Sequence, residues 1–135
     1  MFSGVLRDVL AALLTHLSSY VQFPRRQDLA NVKADFYALG GIPHVMGAID
    51  GTHVALVPPH DREQVYRKHF HSINVQVVCL ADHYISHVFA GYPGSAHDSF
   101  VLRNSSITQM MAQLHRDRAW LVGEYVLSGV TILEA

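Results

Sequence analysis

The sequence has little of several features that would assign it quickly to a class of protein. Its single cysteine, Cys79, excludes a disulfide within the chain and suits a reducing compartment. No apolar run is long enough to span a bilayer, so we expect no membrane association. The net charge is −1 with neutral histidines, so composition gives no nucleic-acid signature, although a local basic face would remain compatible with DNA.

The composition of the chain is that of a globular protein. Its 135 residues are the size of one domain, and half of them are hydrophobic, which permits a packed core and argues against disorder. Ten histidines are many for this length, so the net charge would rise as the pH fell toward their pKa. We expect a soluble, intracellular protein.

Two amphipathic helices are predicted before the first strand. In residues 2–20, apolar side chains recur at steps of three and four, which predicts a helix that packs against the rest of the protein. A helix-turn-helix reader of DNA is the alternative, but the polar face carries almost no Lys or Arg. A second helix is predicted over residues 27–39, where Gly40 and Gly41 end it.

The middle of the chain predicts a mixed α/β fold. A buried strand over 44–50 continues beyond a kink at Gly51, and two further strands complete an antiparallel meander. A break at the Gly91-Tyr92-Pro93-Gly94 segment precedes a helical region and a fourth strand, which gives the order βββαβ. The remaining predicted elements are strands at 73–80, 84–90 and 119–123, and helices at 99–104 and from Ser106 or Thr108 to about Arg116.

Three acids follow or precede these elements at positions that the fold can bring together. Asp50 follows the first strand, Asp98 opens the helical region, and Glu124 follows the fourth strand. Because neighbouring strand ends lie side by side, Asp50 and Asp98 are candidates to share Mg²⁺ or Mn²⁺, which prefer oxygen ligands. On spacing alone, the more ordinary interpretation is that Asp50 accepts turn amides and Asp98 caps a helix.

Other candidate sites are weaker. A basic cluster of Arg67, Lys68, His69 and His71 could contact a DNA backbone, and a solvated loop is about equally plausible. A zinc site is disfavoured, because there is one cysteine and the histidines lack finger-like spacing. Residues as close in sequence as Ser95, His97 and Asp98 cannot form the geometry of a hydrolase triad.

The residue identities in several segments are more informative about function than the spacing of the acids. In an order that chance would hardly supply, they closely resemble the Harbinger transposase-derived nucleases of the DDE superfamily of endonucleases. The resemblance spans roughly residues 20–124. It is carried by Phe36-Tyr37-Ala38-Leu39-Gly40-Gly41-Ile42-Pro43, Gly47-Ala48-Ile49-Asp50-Gly51-Thr52-His53-Val54, Tyr66-Arg67-Lys68, His71-Ser72-Ile73-Asn74-Val75-Gln76-Val77-Val78-Cys79, Pro93-Gly94-Ser95-Ala96-His97-Asp98-Ser99 and Trp120-Leu121-Val122-Gly123.

The resemblance implies an RNase H-like fold, and an enzyme that hydrolyses DNA with Mg²⁺ or Mn²⁺. The family's metal-binding acids map onto Asp50 and Asp98, which are then catalytic, and its third acid maps onto Glu124. That third acid is usually Asp within a Gly-Asp-Ser-Gly-Tyr sequence, whereas this chain reads Gly123-Glu124-Tyr125. The resemblance also implies a Myb-like DNA-binding partner protein, and a location in the nucleus and cytoplasm.

The chain departs from the family pattern after the third acid. Nothing matches the family's final catalytic Glu, and Glu134 lacks the Arg-rich helical context for that role. We therefore expect a C-terminally truncated member with a helical segment over 1–41, a partial endonuclease core over 42–125 and a divergent tail over 126–135. The alternative function is an inactive DNA-binding or protein-binding scaffold, or a transposon remnant. An exposed apolar sheet edge is also expected, with aggregation or partner dependence as its consequence.

Overall fold

A computed structural model describes residues 2–57, 71–114, 117–125 and 129–134 of the chain. The helices are α1 (Phe2–Tyr20), α2 (Leu29–Gly40), α3 (Asp98–Asn104) and α4 (Ile107–Gln113), with a 3-10 helix (Arg26–Asp28) directly before α2. The strands are β1 (Val45–Ala55), β2 (Ser72–Cys79), β3 (Ile85–Pro93), β4 (Trp120–Tyr125) and β5 (Gly129–Glu134).

The strands form one mixed sheet in the order β3-β2-β1-β4-β5. Strands β1, β2 and β3 are antiparallel neighbours, which confirms the predicted meander. Strand β4 is parallel to β1, because the chain crosses over through α3 and α4 before it returns to the sheet. The mixed α/β class and the predicted βββαβ order are therefore correct.

The hydrophobic core lies between the sheet and the short helices. Met46, Val78 and Leu121 from three adjacent strands are fully buried, together with Ile107 of α4. Leu29 of α2 belongs to the same cluster, and Arg26 just before it forms an ion pair with Asp117 at 2.8 Å. Core packing and this link hold α3, α4 and the start of α2 against the sheet.

Strand β3 is longer than predicted. It continues through the Gly91–Pro93 segment that was expected to break the sheet, and Pro93 pairs with Ile73 of β2. The physical reason is that β3 lies at the edge of the sheet, where a proline has no second neighbour to which it would have to donate a hydrogen bond.

The expected bare edge at β4 is also absent. Strand β5 pairs with β4 along its whole length, from Trp120 opposite Glu134 to Tyr125 opposite Gly129. The prediction failed because the sheet was expected to lack a further strand at this side, whereas Gly129–Glu134 pairs with β4 as an antiparallel strand. The predicted exposed apolar edge at β4 was therefore wrong.

Helix α1 has the predicted bounds but does not pack as predicted. Its apolar stripe is exposed to solvent, with Leu13 62% and Leu14 66% accessible. Sequence periodicity identifies an amphipathic helix, but it does not supply the surface that would cover the apolar face. The other exposed members of the stripe are Val5, Leu6, Val9, Leu10, Leu17 and Tyr20.

Candidate functional site

A small cleft lies where β1 and β2 meet the beginning of α3. It has space of about 10 Å³, which is about what one water molecule requires. The residues that line it include both acids that the sequence singled out and two buried amides. They are Ile49, Asp50, Gly51, Asn74, Gln76, Asp98 and Val101.

Asp98 is held in this cleft by the start of α3. It is the first residue of the helix, and His97 occupies the capping position, so Asp98 is not the helix cap. Its Oδ1 accepts a hydrogen bond of 2.7 Å from Nδ2 of Asn74 on β2. The carboxylate is therefore oriented by the sheet and not by the helix amides.

Gly51 makes room for the Asp98 carboxylate. A Cβ atom on Gly51 would lie 2.6 Å from Oδ1 and 2.9 Å from Cγ of Asp98, which is closer than carbon and oxygen atoms can approach. Strand β1 runs through this position without interruption, so the glycine is not the kink that was predicted. It permits a close approach between the strand and a side chain of the helix.

Asp50 lies in the middle of β1 and not after its end, which corrects the prediction. Its side chain is exposed, whereas its neighbour Ile49 is buried in the core. Its Oδ1 accepts a hydrogen bond of 2.8 Å from the backbone amide of Gly51. Asp50 thus does accept an amide, although within a strand and not a turn, and it lines the same cleft as Asp98.

Two buried amides on β2 complete the cleft. Asn74 is 1% exposed and Gln76 is 4% exposed, and both point toward α3 and α4. Gln76 donates to the hydroxyl of Ser105 at 3.2 Å, which links the sheet to the segment between the helices. Neither residue was a candidate on sequence grounds, and the available signal was two amides that alternate with apolar residues in a strand of β-formers.

Asn74 carries an unusual feature for so deeply buried a side chain. Its Nδ2 donates both to Asp98 and to the carbonyl of Ala96, at 2.7 and 3.1 Å. Its Oδ1 is buried without a hydrogen-bond partner. A buried polar atom left in this state costs about 1–3 kcal/mol, which makes it a place to look for a ligand.

The third predicted ligand is placed only through its backbone. Gly123 of β4 pairs with Ile49 of β1, so the backbone of Glu124 follows this pair as the backbone of Asp50 does. The side chain of Glu124 lies outside the described part of the structure, as do Arg67, Lys68 and His69 of the basic cluster. Within the described residues, no group of three or more His, Cys, Asp and Glu side chains could hold a metal ion.

The donor set of the cleft fits a hard divalent cation. Asp50 and Asp98 are the two acids among the residues that line the cleft, and Asn74, which also lines it, has a carbonyl oxygen without a hydrogen-bond partner. Mg²⁺ and Mn²⁺ take such oxygen ligands and commonly keep several waters, so the protein need not supply all of their ligands.

A second buried polar group lies farther along the sheet. His87 of β3 is 7% exposed, and its Nε2 lies 3.0 Å from the hydroxyl of Ser106. Burial disfavours the charged imidazole and lowers the pKa of His87 below its ordinary value of 6.5. This contact ties the edge strand to the start of α4.

Comparison with known proteins decides the family. The family described as "DDE superfamily endonuclease" matches residues 49–128, a segment that contains Asp50, Asp98 and Glu124. The chain belongs to this family. The match confirms the resemblance to the Harbinger transposase-derived nucleases, and it extends from the middle of β1 to beyond β4.

Several curated proteins that resemble this chain carry the name "Putative nuclease HARBI1". The human protein is 36% identical over 126 residues, and the Bos taurus protein is 38% identical over 128 residues. Each alignment covers 90% of this chain and 36% of the relative, so the chain spans about a third of the length of these relatives. "Protein ALP1-like" of Arabidopsis thaliana is 30% identical over 96 residues, covering 68% of this chain and 23% of that protein.

Two further findings concern known structures and membrane-spanning helices. No solved structure matches this chain. Across the parts of the chain that the structure describes, no helix has the length and apolar character needed to cross a membrane.

Proposed function

We propose that this chain is a nuclease domain that hydrolyses phosphodiester bonds of DNA with the help of Mg²⁺ or Mn²⁺. The observation that carries the proposal is that Asp50 and Asp98, 48 positions apart in the sequence numbering, line one cleft within the matched family segment. In this proposal both acids are metal ligands and catalytic residues, and Glu124 is the third ligand.

The topology supports an RNase H-like fold as the framework of this site. Three antiparallel strands, a crossover through helices and a strand that returns parallel to β1 form the sheet order β3-β2-β1-β4. In this arrangement Ile49 of β1 pairs with Gly123 of β4, so the backbone of Asp50 and the backbone of Glu124 follow the same pair. A single sheet thereby carries the first and third proposed ligands, and α3 brings the second.

The chemistry divides between the bound ion and the chain. A bound divalent cation supplies a Lewis acid that lowers the pKa of water and stabilises the leaving oxygen. The protein supplies the anionic oxygens of Asp50 and Asp98, which attract and orient the cation. The hydrogen bonds from Gly51 to Asp50 and from Asn74 to Asp98 fix these carboxylates before substrate arrives.

The first test is a calorimetric titration of the folded chain with Mn²⁺. We expect saturable binding that Asp50→Ala and Asp98→Asn each weaken by at least tenfold. Asp82→Ala is a matched control, because Asp82 also accepts a backbone amide, from Tyr84 at 3.0 Å, but lies outside the cleft. Cleavage of supercoiled plasmid DNA by the wild type, and its loss in the two cleft variants, would complete the test.

The alternative function is a scaffold without catalysis that binds DNA or protein. One observation favours it: Asp50 is opposite Val77 of β2 while its neighbour Gly51 faces Asp98, so the alternation of side chains along β1 directs the Asp50 carboxylate to the other face of the sheet. A folded chain that binds DNA but shows no saturable Mn²⁺ binding would support this alternative and contradict the nuclease. DNA as substrate, a Myb-like partner protein and a location in the nucleus and cytoplasm are further parts of the proposal, each open to direct assay.

A further inference from the structure

Helix α1 is exposed along almost its whole length. Every residue from Val5 to Tyr20 is exposed, and α1 has no extensive contact with another helix or strand that the structure describes. Its first turn has no acidic residue and its last turn has no basic residue, so side-chain charges do not stabilise its ends. Because most helical stability in proteins comes from packing of an apolar face, α1 needs a packing partner beyond the described part of one chain.

The apolar stripe of α1 contains a regular seam. Its members recur at steps of four, three and four, which is the spacing of the a and d positions of a coiled coil. They are Leu6, Leu10, Leu13 and Leu17.

This seam reads the same in both directions along the helix. Two copies of α1 can therefore align antiparallel about a two-fold axis, with Leu6 of one copy opposite Leu17 of the other. In the same alignment Leu10 of each copy lies opposite Leu13 of the other. A two-fold interface requires a surface that is complementary to itself in this way.

The charges of α1 favour a second copy of the helix over a membrane or a nucleic acid. Arg7 and Asp8 are the Lys, Arg, Asp and Glu residues of α1, and their charges cancel. A helix that lies on an anionic membrane is rich in Lys and Arg on its polar face, and a DNA backbone also requires basic side chains. Neither Arg7 nor Asp8 belongs to the seam, so pairing through the seam places no charge at its centre.

The exposed area of the stripe is sufficient for a reversible dimer. The side chains of the stripe are 47–67% exposed. Full burial of one such side chain removes on the order of 100 Å² from water, so the stripe offers on the order of 500 Å² in each copy. A pair of stripes offers about 1,000 Å², which is the lower bound for a specific interface between proteins.

We propose that α1 is a dimerisation element, through which two copies of this chain pair antiparallel along the leucine seam. The partner is a second copy because the seam is complementary to itself and its area reaches what a dimer needs. The proposal is independent of the nuclease function, since none of the residues that line the cleft belongs to α1.

Two substitutions in separate chains test both the dimer and its alignment. Leu10→Lys and Leu13→Glu each place an unpaired charge in the seam, so each variant alone should dimerise at least tenfold more weakly than the wild type in sedimentation velocity. In an equal mixture, Lys at position 10 of one chain lies opposite Glu at position 13 of the other, and the remaining pair is leucine with leucine. We expect the mixture to form a one-to-one dimer, which a parallel alignment would not restore.

Leu39→Lys is the matched control, because Leu39 is also exposed, at 70%, but lies on α2. We expect this variant to dimerise as the wild type does. The wild type also gives a readout that requires no substitution. Its helical circular dichroism should fall on dilution, because α1 loses its packing partner as the dimer dissociates.

Several results would overturn the proposal. A wild-type chain that is monomeric at every concentration would do so, and binding of that monomer to phosphatidylglycerol vesicles would assign the stripe to a membrane surface instead. A dimer that persists in both seam variants would place the interface elsewhere. A mixture of the two folded variants that stays monomeric would overturn the antiparallel alignment.

Discussion

Replacement of Gly51 by alanine tests the close approach on which the cleft depends. The added methyl would lie 2.6 Å from Oδ1 of Asp98, so the carboxylate must move and its 2.7 Å hydrogen bond from Asn74 must lengthen or break. Overpacking of this kind costs about 1–3 kcal/mol. For a chain of this size, that corresponds to a melting temperature lower by roughly 3–15 °C.

The same substitution should weaken Mn²⁺ binding by at least tenfold, because the displaced carboxylate no longer has the geometry that the cation requires. The matched control is Gly40→Ala at the end of α2, where the new methyl meets no atom within 4 Å. Circular dichroism melts and Mn²⁺ calorimetry would measure both variants. A Gly51→Ala protein with the stability and the Mn²⁺ affinity of the wild type would refute the placement of Asp98 against β1.

Three further predictions concern the core, the buried histidine and α1. Leu121→Ala should destabilise the chain by about 2–5 kcal/mol in urea unfolding, since Leu121 is 0% exposed, whereas Leu39→Ala, 70% exposed, should change stability by less than about 0.5 kcal/mol. Because burial lowers the pKa of His87, the unfolded chain binds a proton at this residue more readily than the folded chain does. The contribution of neutral His87 to the free energy of unfolding should therefore be complete above pH 6.5 and be lost as the pH falls through the pKa of the folded state. In His87→Gln, this part of the pH dependence of stability should disappear. Because Leu13 is 62% exposed in the apolar stripe of α1, Leu13→Lys should reduce self-association in sedimentation velocity without lowering the melting temperature. Unchanged self-association would contradict the expectation that this stripe mediates contacts between copies of the chain.

The fold was predictable where local pattern and tertiary context agree. The bounds of α1 match the prediction, and those of β2 differ from it by one residue. Both elements were predictable because hydrophobic periodicity and β-propensity are properties of the segments themselves. The extension of β3 through Pro93 and the addition of β5 were not predictable. Both depend on position in the sheet, since a proline is tolerated at an edge and a short tail becomes a strand when a neighbour accepts it.

The candidate site was predictable in its acids but not in its supporting residues. Both residues, Asp50 and Asp98, line the same cleft, and their role as metal ligands stays a prediction. Asn74 and Gln76 were missed because a polar residue in an alternating strand is expected to face water. In this sheet they are buried, while Val75 and Val77 between them are only half-buried, because the helices cover the face that carries the amides.

The proposed metal site can be tested by a crystal structure of this chain soaked with Mn²⁺, with anomalous diffraction data to locate the metal. We predict an anomalous peak in the cleft, within coordination distance of carboxylate oxygens of Asp50 and Asp98, and loss of that peak in Asp98→Asn. A folded chain whose cleft holds no metal at saturating Mn²⁺, with the two carboxylates directed apart, would contradict it.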